Sequence, residues 1–396
     1  MPGYSESYPW PQLTAQQQVQ HMRENGITFN GLSECDACDF LRYSNFFFKV
    51  KAFDKCFDKW LDTDERAGKY INLDFSYLVE LSKLDFYLRE VALSLSLDLE
   101  HYLKVSLNRS MMEDECDAHQ LAIGFLAFTR SNSVNDIAKH LDLSKLDGEV
   151  STSQEILAKT AQTLSSLSSV KEIDDGAAEI ISNVSYVADI LRGALGGRDL
   201  QHIEHSISTL GDSSYSRDLA RKFGTPENVA VWHLMELMSF GDTIALYKYY
   251  FLDYRVEGPT QEAKDIKQLL FPAKALRNAA AHNSCLLNTA RKRLSKPVGG
   301  IAKAIMEDYG IPKELATSTK RIPIVHDFSA LVICHDRVVS SVGVKKRRAI
   351  ALRDSAERYM KHIDYFNKQP EVKNMLLVIA QMCDCVAGKY EREPSR

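Results

Sequence analysis

A run of about eighteen apolar residues, the length a membrane-crossing helix needs, is missing from this 396-residue chain. Met1–Trp10 lacks the basic-then-apolar pattern of a secretory signal. No membrane partner is therefore expected, and the expected location is cytoplasmic. An excess of positive charge is lacking as well. The formal net charge is −4, which excludes a surface that is basic overall. A nucleic acid would have to be met by a local patch. Cysteines at zinc-site spacing are also wanting. The eight cysteines offer one CxxC, Cys35–Cys38, and one CxC, Cys383–Cys385, with no matching second pair. Ordinary reduced thiols account for them, and neither a metal nor a cofactor is expected. Strand signals are scarce, with Arg321–Val325 and Leu331–Val339 as the candidates.

What the chain does have is helical pattern. Hydrophobic content of 45% and charged content of 26% suit a soluble globular protein with ample core. Thr14 with Gln17 reads as a capping box opening a helix over 15–25, closed by Asn25-Gly26. Cys35 to Tyr43 begins a second helix. Phe46, Phe47 and Phe48 with Val50, Phe53 and Phe57 form an aromatic-rich segment expected to be core rather than a base-stacking platform. From Asp74, apolar residues at a spacing of three and four run through Leu78, Leu81, Leu88, Leu95, Leu99 and Leu103 to about Leu107. Asp85–Arg89 and Glu100–Lys104 support that helix as acid-first pairs four apart. It would be about 50 Å long.

Between Ser131 and Ser216 the composition shifts to Ser, Asp and Gly, with weakly amphipathic pieces over 153–167 and 177–194. This reads as an insertion without visible chemistry. Residues 228–250, apolar nearly all round, read as one buried helix in which Glu236 would need a basic partner. A helix over 262–270 and another from Pro272 follow. Lys345, Lys346, Arg347 and Arg348 lead into a helix over 349–366, and 372–390 is helical. The reading is all-α, divided into an N-terminal helical region 1–128, an insertion 129–227, a region 228–310 that carries the motif described next, and a C-terminal helical region 311–396.

One stretch concentrates chemistry. Arg277, Asn278 and His282 fall at the end of the helix expected from Pro272, with Asn278 and His282 on one face. Arg277 lies about 140° round from His282, within reach of a long side chain. Ala279, Ala280 and Ala281 leave room for a close helix. The bland alternative is that Arg and His at a helix C-terminus merely complement its dipole and bond its last carbonyls. Beyond the motif the chain turns basic at Arg291, Lys292, Arg293, Lys296 and Lys303, charges suited to a phosphate backbone.

Several segments together resemble the Abi-like (AbiD/AbiF) abortive-infection proteins, a branch of the HEPN superfamily of helical ribonucleases. They are Leu13–Gln18 with Asn25-Gly26-Ile27; Phe40–Tyr43 with Asn45-Phe46-Phe47; Asp85–Arg89 with Leu99–Lys104; Trp232–Gly241; and Arg277-Asn278 with Ala281-His282 and Asn288. The family usually continues the motif with Arg-Leu-Trp-Asn, where this chain has Cys285-Leu286-Leu287-Asn288.

The resemblance implies a HEPN-type helical bundle with additional N- and C-terminal helices and a helical insertion, its catalytic region at 228–310. It implies a metal-independent endoribonuclease of phage defence that cuts single-stranded RNA by 2′-OH attack. His282 would move the proton, Arg277 would stabilise the phosphate, and Asn278 would orient the phosphate or hold Arg277. Glu236, Asn283 and Asn288 would support them. Lys274, Arg291, Lys292 and Arg293 would bind RNA. A homodimer would complete the site, and a small non-coding RNA is a further expected partner. The reading from another class is a catalytically inactive HEPN-type RNA-binding or complex-forming module.

Overall fold

The computed structural model describes residues 12–125, 128, 218, 230–255 and 257–394. Among them the protein is all-α, with no sheet and only two isolated bridges, Thr28 to Asp74 and Lys59 to Tyr70. Two compact units divide the chain. One comprises Met1–Leu103 with Lys264–Arg396, the other Lys104–Ala263. The expected insertion 129–227, with its pieces over 153–167 and 177–194, lies outside the described residues apart from Asp218.

The first unit opens with α1 (Ala15–Glu24), whose Thr14–Gln17 capping box forms as expected. Gly26, at φ +85°, turns the chain out of it, and an added Cβ there would meet Lys69 Cβ at 3.0 Å. The helix α2 (Glu34–Asp39) runs on through a π turn to Ser44. The short α3 (Phe47–Lys51) follows, and then α4 (Phe75–Glu113), longer than its pattern suggests at 39 residues, or about 58 Å. Asp74 caps it through the Ser76 amide and hydroxyl and also receives the Asn30 amide.

The aromatic segment departs from expectation. Val50, Phe53 and Phe57 are core, but Phe46 and Phe48 are exposed. Lys49 and Val50 take the inward positions of α3, and at about 100° per residue Phe48 stands about 160° from Val50's side of the helix. An inward lysine displaced the ring.

The motif helix α7 (Gln261–Ala281) is one helix, not two, and runs through Pro272. Pro272 cannot donate to the Gln268 carbonyl. Leu269 and Leu270 before it and Ala273 and Leu276 after it are all buried, so packing on both sides holds the helix continuous. The expected strands at Arg321–Val325 and Leu331–Val339 are also overturned, because α10 (Pro323–Val338) occupies them. Its β-branched residues reflect burial on nearly every side rather than a pleated surface. Pro323 starts it at the first turn, where no amide is needed. Preceding it are α8 (Ile301–Glu307) and α9 (Lys313–Thr319).

The chain ends in a tightly packed helix pair, α11 (Val342–Met360) and α12 (Pro370–Arg392). The basic run lies inside α11 rather than ahead of it. Lys345 is buried against Asp336 and Glu393, and Arg348 reaches Asp98 on α4. Met375, Leu376, Ile379 and Met382 of α12 are fully buried, each worth about 1.5–3 kcal/mol.

In the second unit, the single helix expected over 228–250 is two: α5 (Val231–Leu237) and α6 (Phe240–Lys248). Met238 is extended at ψ 134°. Ser239 and Asp242 form a reciprocal capping box that starts a fresh helix there. Nor is α5 apolar all round, since Trp232 and Glu236, four apart, share an exposed face. No described helix is long and apolar enough to cross a membrane.

Candidate functional site

Arg277, Asn278 and His282 occupy the last turn of α7 and the residue beyond it. Arg277 and Asn278 are half-buried, and His282 is exposed. The Arg277 guanidinium donates to Asn278 Oδ1 at 3.1 Å, so the amide holds the arginine. Neither Arg277 nor His282 bonds a terminal carbonyl of α7 through its side chain. The capping role that would explain them blandly is therefore not the one they play. Arginines on neighbouring helices pair with acids: Arg89 with Asp85, Arg348 with Asp98, Arg353 with Asp384, Arg358 with Glu80. Arg277 meets no carboxylate among the described residues, and its charge is left for something else.

The backbone reverses directly after His282. Asn283 adopts φ +56°, a left-handed conformation that Asn tolerates better than most residues. Its backbone carbonyl accepts from Lys49 Nζ at 2.8 Å, and its side-chain oxygen takes a second bond from the same ammonium. Lys49 is buried. Burial, then the nearby Arg89 charge, pushes its ammonium down from the ordinary lysine range. The Cys285 thiol lies 3.6 Å from the Lys49 carbonyl, so the loop rests along α3.

At the next two residues a fully buried carboxylate takes over. Asp85 on α4 accepts the Leu286 amide at 2.6 Å and the Leu287 amide at 2.9 Å through Oδ1, while Oδ2 pairs with Arg89. Burial pushes its carboxyl up, opposed by the Leu287 amide and the Arg89 charge. Cys56 packs beneath with Sγ 3.7 Å from the Leu287 carbonyl, and burial pushes that thiol up to about 12. An inert thiol, an acid and a lysine thus fix the loop that leaves the motif. The sequence pointed to Asp85 as a helix-supporting partner of Arg89 and as part of the family resemblance, not as the acceptor that holds this loop. The available signal was an acid on the buried stripe of an apolar helix, which is rare without a partner.

The remaining candidates are placed as follows. Asn288 is half-buried in the 3-10 turn Leu287–Thr289, and Lys274 is half-buried on α7. Arg291 is committed to Asp58 at 2.8 Å. Arg293 donates to the Ala290 and Lys292 carbonyls at 2.8 and 2.9 Å, leaving Lys292 exposed. Glu236 belongs to the other unit, is exposed, and has no ion-pair partner among the described residues. The expectation that burial forces a partner on it fails with the burial. The two cysteine pairs each point one thiol inward and one out, Cys38 and Cys383 buried, Cys35 and Cys385 exposed. Among the described residues no group of three or more His, Cys, Asp or Glu is arranged to hold a metal.

Fold and site together define an all-α protein that presents an Arg–Asn–His motif from a helix end anchored to a long central helix. A family model described as Abi-like protein matches residues 39–288, more than half of the chain, and the protein belongs to that Abi-like family. The family is linked to abortive infection, a form of phage defence. No curated protein and no solved structure matches the chain.

Proposed function

We propose that the protein is an endoribonuclease of phage defence, of the HEPN type, acting on single-stranded RNA. The observation that carries this is Arg277. It is a half-buried guanidinium held by a neutral amide, with no acid beside it among the described residues, five residues before an exposed imidazole. A fork of N–H donors suits the oxygens of a phosphate passing through a pentacoordinate state. An imidazole, whose ring nitrogens can both accept and donate a proton, is suited to taking the ribose 2′-OH proton or giving one to the leaving 5′-oxygen. The O2′–P bond forms as the P–O5′ bond breaks, giving a 2′,3′-cyclic phosphate and a 5′-OH. Asn278 holds Arg277 for this step. Asn283, fixed by Lys49, sets where the chain turns after His282. In this reading Lys274, Lys292 and Arg293 meet flanking phosphates, while Arg291 serves the fold through Asp58. One Arg–His set lacks a second proton-transfer group. A homodimer, with another α7 approaching along Ala279–Ala281, supplies it in this reading. A bound small RNA is a further proposed controller.

The test is cleavage of a single-stranded RNA pool by the full chain, with and without chelator, beside Arg277→Ala and His282→Ala. Cutting by the parent, unaffected by chelator and reduced about 10²–10⁴-fold in each variant, is expected, with cyclic-phosphate ends. RNA binding without cutting by any of the three favours the alternative, an inactive RNA-binding module. Loss of cutting with chelator removes the metal-independent step.

A further inference from the structure

Four exposed aromatic rings lie on the two segments whose Lys49 and Asp85 hold the loop that leaves the motif. Tyr43 is 83% exposed, Phe46 59%, Phe48 78% and Phe86 51%. Phe48 touches the Phe47 ring edge-on, and Phe86 meets Tyr87 edge-on with the Arg89 guanidinium 5.8 Å from its centroid, yet most of this ring surface stays open, and several such rings on linked elements mark a contact surface. Their surroundings are held rigidly. Asn45 donates to Ser82 Oγ on α4 at 2.6 Å and accepts the Phe46 amide at 3.0 Å. Phe86 lies one helical turn beyond Ser82, on the same face and next to Asp85, the carboxylate that holds the motif loop. Phe48 precedes Lys49, whose ammonium caps Asn283, the residue after His282. The rings and the motif therefore share one scaffold.

Two exposed lysines lie on segments tied to the same loop. Lys55 is exposed beside Cys56, which packs under Leu287. The Arg291–Asp58 ion pair brings exposed Lys292 to the same stretch. Subunit interfaces are depleted of charge at their cores. Exposed rings accompanied by lysines suit a strand that offers base faces and phosphates together.

We infer that Tyr43, Phe46, Phe48 and Phe86, with Lys55 and Lys292, form a base-stacking platform that binds single-stranded RNA beside the Arg277–His282 motif. It deepens the nuclease reading above and rests on it for the choice of ligand. The platform positions substrate; it takes no part in proton transfer.

The test uses the full chain and a fluorescein-labelled single-stranded 2′-O-methyl RNA of about 12 nucleotides, which cannot be cut and fits the site sizes of single-strand binders. Anisotropy titration of Phe46→Ala/Phe48→Ala should show binding weakened about tenfold or more, with the salt dependence unchanged. Lys55→Gln should instead flatten the salt dependence. Phe48→Trp should retain binding and show its added fluorescence quenched by the RNA. That variant also decides the matter if the double alanine variant misfolds, since unchanged fluorescence overturns the platform.

A parent that cuts RNA while the double variant binds as tightly as the parent overturns the platform and leaves the nuclease reading standing. Weakened binding in the double variant, with no cutting by the parent, leaves the platform and removes the nuclease. A parent that binds no RNA overturns both. A dimeric parent that the double variant splits into monomers assigns the rings to a subunit contact and overturns the platform.

Discussion

Asp85 accepts backbone hydrogens from Leu286 and Leu287, 201 and 202 residues away in the chain, and pairs with Arg89. Asp85→Ala leaves two buried amides and a buried guanidinium without an acceptor. Breaking such a pair typically costs about 3–5 kcal/mol. The loss is to be read from urea unfolding, with Asp85→Asn in between because its amide oxygen still accepts. At this scale the motif itself was legible, since Arg277, Asn278 and His282 lie within one and a half turns and local spacing carries the message. The residues that anchor it were not. Nothing in the run around Lys49 or Asp85 announces a partner more than two hundred positions later, and the only trace is a charge sitting where the pattern asks for an apolar side chain.

Four helices meet at His335. It lies on α10 with Nε2 3.2 Å from Asp98 of α4 and Nδ1 2.8 Å from the Tyr390 hydroxyl of α12. Asp98 is held at 2.5 Å by Arg348 of α11. Burial lowers the tendency of His335 to take a proton, against the pull of Asp98, with Lys345 and Arg348 adding like charge. The Asp98 carboxyl pays for desolvation, yet the Arg348 and His335 hydrogen bonds hold it down at about 2. The folded histidine thus protonates below the unfolded one, whose ordinary value is about 6.5. Acid below that value favours the unfolded chain, while Asp98 stays ionised in both states until pH nears its ordinary range of about 3.9. The urea midpoint should therefore fall between pH 7.5 and 5.5, and His335→Gln should shrink that difference. Among elements, α1 was readable from its capping box, and α4 and α12 from apolar spacing sustained over most of their length. The break at Met238 and the passage through Pro272 were not. In the first a local capping box outweighed a continuous apolar pattern, and in the second tertiary packing outweighed a helix breaker.

At the scale of the molecule, the family match ends at residue 288, yet the first unit does not. Tyr359 donates to the Leu84 carbonyl at 3.2 Å, Arg358 clasps Glu80, and Arg348 and His335 hold Asp98. Helix α4 is thus packed and ion-paired by helices that begin at Pro323 and later. A fragment spanning 39–288 should therefore lack a cooperative thermal transition by circular dichroism, where the full chain shows one. The same wiring has a consequence in time. Ribosomes extend a chain at about 5–20 residues per second, so the 201-residue gap between Asp85 and Leu286 separates their synthesis by roughly 10–40 s. Until then α4 has no loop to grip, and the turn after His282 has nothing to fix it. The motif loop is therefore gripped only once Leu286 and Leu287 have followed Asp85 out of the ribosome, and a nascent chain shorter than that carries no anchored Arg–Asn–His site.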